Sequence, residues 1–168
     1  ETSIWQSYYH YCISIAEKLL KNIVPEDYRK ALLSIDHLGA VCVILELKQP
    51  IQSAYWVNIC EKNAPVLVMI EHTNFISPAV YKGKHLVYLA NYLHRDDPRF
   101  SLSDDEIVKT YTSILKKMNK NFKKSWITAT HISRVPRAQT IFQLHALKHK
   151  PPMITPIKHI YMANIDQM

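Results

Sequence analysis

Glycine is scarce in this chain. Its 168 residues include only Gly39 and Gly83, where an average chain of this length has roughly a dozen. A dinucleotide-binding turn, G-x-G-x-x-G, needs three glycines, and a P-loop needs at least two in one short loop. Neither can be written with this inventory, so the sequence offers no recognisable phosphate cradle. Cysteine is sparse as well. Cys12, Cys42 and Cys60 are widely spaced and odd in number, with no C-x-x-C. A reducing compartment, with a cytoplasmic location, is the expectation. Long apolar runs are missing too: none approaches the roughly 18 residues that cross a bilayer, so no transmembrane segment is expected.

What is present is an ordinary globular composition. Hydrophobic residues make up 48% and charged residues 21%, enough for one domain, residues 1–168, to bury a core without staples. The formal net charge is +7, a balance that suits nucleic acid or an anionic membrane face. The lysines that cluster are Lys116, Lys117, Lys120, Lys123 and Lys124. They fall at the end of an expected helix, where cations complement the helix dipole. They read as a solvated helix end, and no nucleic-acid partner is expected.

Residues 37–93 carry three apolar, β-branched segments between polar or proline-containing breaks, which is sheet sequence. Strands are expected at 39–47, 55–60, 66–72, 84–93 and 126–135, the last ended by Pro136. A short strand at 11–15 and a strand-like piece at 157–164 complete the set. Helical spacing appears at 16–22, with Ala16, Leu19, Leu20 and Ile23 on one face, and at 26–35, through Tyr28, Leu32 and Ile35. The best-marked helix follows Ser103-Asp104-Asp105-Glu106, a capping box with serine at the N-cap and glutamate at N3. It is expected to run to about Asn121, with Ile107, Val108, Tyr111, Ile114, Leu115 and Met118 on one stripe. The fold class is α+β: a mixed, mostly antiparallel sheet of about five to seven strands, covered on one face by helices.

Candidate chemistry is thin. His145 and His149 have the i, i+4 spacing of a helical metal pair. Between them stand Ala146-Leu147-Lys148, without the glutamate of H-E-x-x-H and with a lysine that would repel a cation, so no metal site is expected. Glu71-His72-Thr73-Asn74 sets four polar side chains at the end of an apolar strand, and strand ends at a sheet's rim often wall a site. On a strand, His72 and Asn74 would share one face and Glu71 and Thr73 the other. His72 and Asn74 are candidate substrate-binding residues, with ordinary strand-end hydrogen bonding as the alternative. Arg134 and Arg137 flank Pro136. Arg137 is a candidate for an anionic substrate group, against simple surface ion pairing. No nucleophile–base pair is legible.

Several stretches resemble, in wording and order, the substrate domain of the flavin-containing amine oxidase superfamily. That superfamily includes monoamine oxidases, protoporphyrinogen oxidases and phytoene desaturases. PEDYRKALLSIDHLGAVCVILEL (25–47) is similar to the helix–turn–strand that enters the domain. EHTNFI (71–76), followed by GKHLVYLANYL (83–93), is similar to its paired central strands. SWITATHISRVPRAQTIF (125–142) resembles the strand before the return toward the flavin. PIKHIYMANIDQM (156–168) resembles the segment before the C-terminal flavin-contacting region. The likeness covers nearly the whole chain and rests on order and wording, not on a catalytic signature.

The resemblance implies a substrate-binding domain excised from a larger FAD-dependent oxidoreductase that dehydrogenates C–N or C–C bonds. FAD would be held in the intact parent by a separate FAD-binding domain. That domain and a small-molecule substrate would be the partners. The fragment alone would hold no cofactor, would be inactive, and would self-associate through the interface left open. Many amine oxidases carry a lysine on the strand after this glycine, bonded through water to the flavin. Counted without gaps from Gly39, that position falls on Val43, which can neither hold the water nor move a proton. The resemblance therefore implies a substrate-facing place for Val43, and a desaturase-like or porphyrinogen-oxidase-like dehydrogenation before the usual amine chemistry. Two alternatives stand beside it: a non-catalytic module that binds a small ligand on a sheet face, and a nucleic-acid-binding domain using the lysine cluster.

Overall fold

A computed structural model describes residues 13–144 and 150–167. The chain divides into two compact units, one made of Glu1–His37 with Thr140–Met168 and the other of Leu38–Gln139.

The larger unit is built on a five-stranded antiparallel sheet, as an α+β fold. The strands are β1 (His37–Leu47), β2 (Trp56–Asn58), β3 (Val68–Glu71), β4 (His85–Leu93) and β5 (Ile127–Thr140), in the spatial order β2-β3-β4-β1-β5. Strict alternation drives the central pair. Along β1 every second residue from His37 to Leu47 is buried or nearly so, and β4 repeats the pattern. Val43 pairs with Leu89 and Leu45 with Val87, so the apolar sets of both strands meet on one face.

Helix α3 (Asp104–Thr112) and the single turn α4 (Leu115–Met118) cover that face. Ile107, Tyr111, Ile114 and Leu115 pack among Val41, Val43, Leu45, Leu89 and Met69 in one cluster. Each such side chain contributes on the order of 1.5–3 kcal/mol of burial. Gly39 allows β1, β5 and the Phe100 ring to close together: a Cβ there would run into Phe100 and stand 2.9 Å from the Val135 carbonyl oxygen.

In the smaller unit α1 (Ile13–Leu20) packs with α2 (Glu26–Leu33). Ile13, Tyr28, Leu32 and Met162 form its core, with Ala16, Val24 and Ile35 against them. The buried face of α1 includes Ile13 and Glu17, whereas Leu19 and Ile23 are exposed. Glu17 is tolerated inside because its carboxylate pairs with the Arg29 guanidinium at 2.6 Å.

Several boundaries differ from the sequence reading. The described part of the expected strand at 11–15 is helical from Ile13. The capped helix ends at Thr112, well short of Asn121. The Thr112 and Ser113 hydroxyls bond back to the Val108 and Thr110 carbonyls, and such back-bonding bends or ends helices. Strand β5 runs through Pro136 to Thr140. It is the outermost strand, where a missing N–H need not break a ladder. At 157–164 there is no strand, only an isolated Ile154–Tyr161 bridge closing a turn in which His159 takes a φ of 66°. His145 and His149 lie outside the described residues.

Candidate functional site

The sheet's second face is not covered by α3 or α4. It carries Ala40, Cys42, Ile44 and Glu46 from β1, paired with Tyr92, Ala90, Tyr88 and Leu86 of β4. Val68 and Ile70 of β3 continue the same rows, opposite Ala90 and Tyr88. Trp56 of β2 pairs with Ile70. Small and aromatic side chains dominate, and Trp56 and Tyr92 are about half exposed, at 52% and 51%.

His72 leaves β3 onto this face. The strand stops at Glu71, and His72–Asn74 form a 3-10 turn. His72 Nε2 lies 2.7 Å from the Tyr81 hydroxyl, and its ring is 5.7 Å from that of Tyr88. Tyr81 is placed by a second 3-10 turn, Pro78–Tyr81, capped by Ser77. Lys82 and Gly83 then take positive φ, 55° and 80°, to turn the chain into β4. Only Gly83 does so without a steric penalty. The Tyr55 and Phe75 rings meet at a tilt of 43°, with centroids 5.4 Å apart. Burial first, then the neighbouring Tyr81, Cys42 and Tyr55, raise the Tyr88 pKa. Burial likewise pushes the Cys42 thiol up. Both groups are thus neutral at ordinary pH, and they add no charge to the apolar face.

One end of the face is polar. Glu46 is bonded by the Lys84 ammonium on one carboxylate oxygen, and by His131 Nε2 at 3.0 Å on the other. Its backbone carbonyl accepts from the Thr128 hydroxyl at 3.1 Å. The bond from Lys84, then that from His131, holds the Glu46 carboxyl below the usual range. Glu46 is therefore an ionised group whose charge is locally balanced.

The candidates read from the sequence are dispersed. His72 stands at the open face with Tyr81 and Tyr88. Asn74, in the same turn, donates to the Gln52 and Ala54 carbonyls at 2.9 and 3.1 Å, which ties down a loop. Val43 is wholly enclosed in the core beneath α3 and α4. It lies on the opposite side of the sheet from Tyr88, and its neighbours Cys42 and Ile44 occupy the open face instead. Arg137 belongs to β5, three strand positions from β3, and its Nη1 is enclosed with no hydrogen-bond partner among the described residues. Arg134 pairs with Asp104 at 2.7 Å and with the Leu102 carbonyl at 2.9 Å.

Sequence reasoning missed the Glu46–Lys84–His131 group and the tyrosines around His72. The alternation of β1 and β4 held that signal: once the apolar set is assigned inward, Glu46, Tyr88 and Tyr92 must face outward. It also missed a buried group in the smaller unit. There the Asp166 carboxylate is bonded by His37 Nε2 at 2.8 Å, by the Thr140 hydroxyl and by the Ile13 N–H at 3.2 Å. A cavity of about 180 Å³, lined by Ile35, Ile141, Phe142 and Lys150 among others, adjoins Asp166. No spacing rule links Ile13 to Asp166 across 153 positions.

No protein-family model matches the chain, and no curated protein matches it. Solved structures do. An oxidoreductase from Methanosarcina mazei superposes with a TM-score of 0.66 at 13% identity, over 92% of this chain and 36% of that one. A putative protoporphyrinogen oxidase from Exiguobacterium sp. 255-15 gives 0.62 at 11% identity, over 94% and 35%. A reduced UDP-galactopyranose mutase gives 0.52 at 9% identity, over 67% and 24%. The chain thus spans a quarter to about a third of the length of these proteins, and its fold is one that also occurs within larger oxidoreductases.

Proposed function

We infer that this chain is the substrate-binding part of an FAD-dependent oxidoreductase, and that the open face of the β-sheet receives a small-molecule substrate for dehydrogenation at a C–N or C–C bond. The observation that carries this reading is the fold likeness over 92% and 94% of the chain to about a third of an oxidoreductase and of a putative protoporphyrinogen oxidase. The resemblance in wording points the same way.

The described residues do not suit an FAD pyrophosphate. Gly39 is packed against Phe100, and Gly83 sits in an open turn, so neither presents backbone N–H groups at a helix start as a phosphate cradle requires. In this reading the cofactor's cradle belongs to a separate FAD-binding domain of the parent protein. This chain contributes binding and orientation: apolar rows that exclude water, and His72 and Tyr88 at their edge to align a polar group. Arg137 lies on β5, apart from these rows, and takes no part in this reading. Val43 supports the pocket from the core side.

The test is made on the full-length parent. It should purify with a flavin spectrum, and the flavin should bleach under anaerobic conditions with a cognate reduced substrate. Tyr88→Ala should raise the substrate concentration needed for half-bleaching by about tenfold, which is about 1.4 kcal/mol. A parent without flavin, or a Tyr88→Ala protein with unchanged half-bleaching, would count against this reading.

A further inference from the structure

We propose that the open sheet face holds one neutral, planar ring-bearing ligand, in a trough floored by Val68, Ala90 and Cys42 and walled by Tyr88 and Tyr92. This deepens the substrate reading above and rests on it only for the ligand's redox fate.

Strand register decides the shape. Val68 pairs with Ala90 and Ala90 with Cys42, so three small side chains form one row across three strands. The next row on one side holds Ile70, Tyr88 and Ile44, and on the other side Ala40 and Tyr92. Positions two apart on a strand share a face, so all of these project together. Tyr88 and Tyr92 stand four residues apart on β4, about 13 Å, with only the Ala90 methyl between them. Cys42 is only partly buried, so the floor is accessible. At the β2 end, Trp56 Nε1 donates to Asn58 Oδ1 at 2.9 Å, which holds the indole beside the row that Asn58 shares with Val68.

The lining also sets the ligand's charge and form. These rows contain no ionised side chain, and Glu46 beyond them is already balanced by Lys84 and His131. An ion entering the trough would lose water without gaining a partner. Aromatic walls favour stacked or edge-on rings. The Tyr88 hydroxyl makes no hydrogen bond among the described residues, so it is free for one directional contact. The fitting class is a neutral fused-ring molecule with one hydroxyl or carbonyl group.

Cys42 makes the trough measurable in this chain alone. Its alkylation by iodoacetamide at mildly alkaline pH, where part of the thiol ionises, would be followed by peptide mass spectrometry, with and without 2-naphthol. At four times its dissociation constant, the naphthol should slow Cys42 about fivefold by simple occupancy and leave the exposed Cys60 unchanged. Ala90→Trp fills the floor and should abolish the protection while the circular dichroism stays that of the wild type. Should that variant not fold, Tyr92→Ala, a change at an exposed position, should still raise the protecting concentration several-fold. The charged 2-naphthoate should protect about tenfold more weakly. Unchanged alkylation of Cys42, equal protection of Cys60, or equal protection by naphthoate would each overturn the proposal. None of these measurements involves flavin. Failure here leaves the oxidoreductase reading to be judged by flavin bleaching in the parent, and failure there leaves the trough standing.

Discussion

Glu71 is wholly enclosed and still carries a carboxyl group. It accepts the Ile51 N–H at 3.1 Å and the Gln52 N–H at 3.2 Å, so it anchors the loop after β1. Burial raises its pKa, and the two backbone bonds pull only part of the way back. An acid whose folded pKa lies above its unfolded value favours folding at low pH, and that stability is lost as pH rises through the folded value. Wild type should therefore lose stability relative to Glu71→Gln across that window, as read by urea unfolding at several pH values. Glu71→Ala should cost about 1–3 kcal/mol by leaving two N–H groups unpaired. Val43 and Cys42 give a second contrast one residue apart. Val43→Lys buries an unpaired ammonium and should cost more than about 3 kcal/mol. Cys42→Lys puts the same group on the partly buried floor of the open face, where its stem can carry the ammonium out to water, and should cost clearly less than Val43→Lys. Unfolding midpoints for the pair test the side assignment directly, and equal losses would refute it.

Among the elements, helix α3 was legible to the residue at its start. Ser103 Oγ accepts the Glu106 N–H at 3.3 Å, and Glu106 Oε2 accepts the Ser103 N–H at 2.9 Å, the reciprocal bonds that the four-residue motif calls for. The Ser103 hydroxyl also donates to Glu106 Oε2 at 2.7 Å, and that bond, then the one from the Ser103 N–H, holds the Glu106 carboxyl below its usual range. Ser103→Ala should lower stability by about 1 kcal/mol, seen as a reduced thermal midpoint. The helix end was not legible, because threonine and serine hydroxyls turn back on their own carbonyls there, and an apolar stripe continues across the break. Strand β1 was legible because its alternation is unbroken. Strand β5 was less so. Ile127 and Ile132 both pack on the core although the step from one to the other is an odd number of positions, so the alternation slips once between them, as at a bulge. Pro136 then reads as a stop in any rule that does not know the strand lies at the sheet's edge.

On the scale of the whole molecule, the smaller unit leaves Leu19, Ile23, Leu144, Ile154 and Tyr161 between 59% and 87% exposed. Gathered into one patch, apolar surface of that extent is uncommon on a monomer. The chain should therefore self-associate in sedimentation, and Leu19→Glu combined with Ile23→Glu should shift it toward a monomer; an unshifted distribution would mean that α1 is not the surface involved. The isolated chain should also purify colourless, since its described residues present no cradle for a pyrophosphate. Stoichiometric bound FAD would contradict that expectation. Among the described residues no helix is long and apolar enough to cross a membrane.

By itself the sequence determined what depends on near neighbours: the fold class, the presence of strands β1 and β4, the cap of α3, and the want of a glycine cradle. These follow from side-chain periodicity and from backbone freedom, which act over a few residues. Tertiary structure alone decided that Val43 faces the core and Cys42 the open side, because a face acquires meaning only once α3 and α4 have covered one of the two. It decided that 13–20 is helical, with the first N–H of α1 satisfied by Asp166 from the far end of the chain. It assembled Glu46, Lys84 and His131 from three segments, and the trough from the register of three strands. Such groupings are set by which strands pair and how, and that pairing reflects the burial of the sheet as a whole more than any local run of residues.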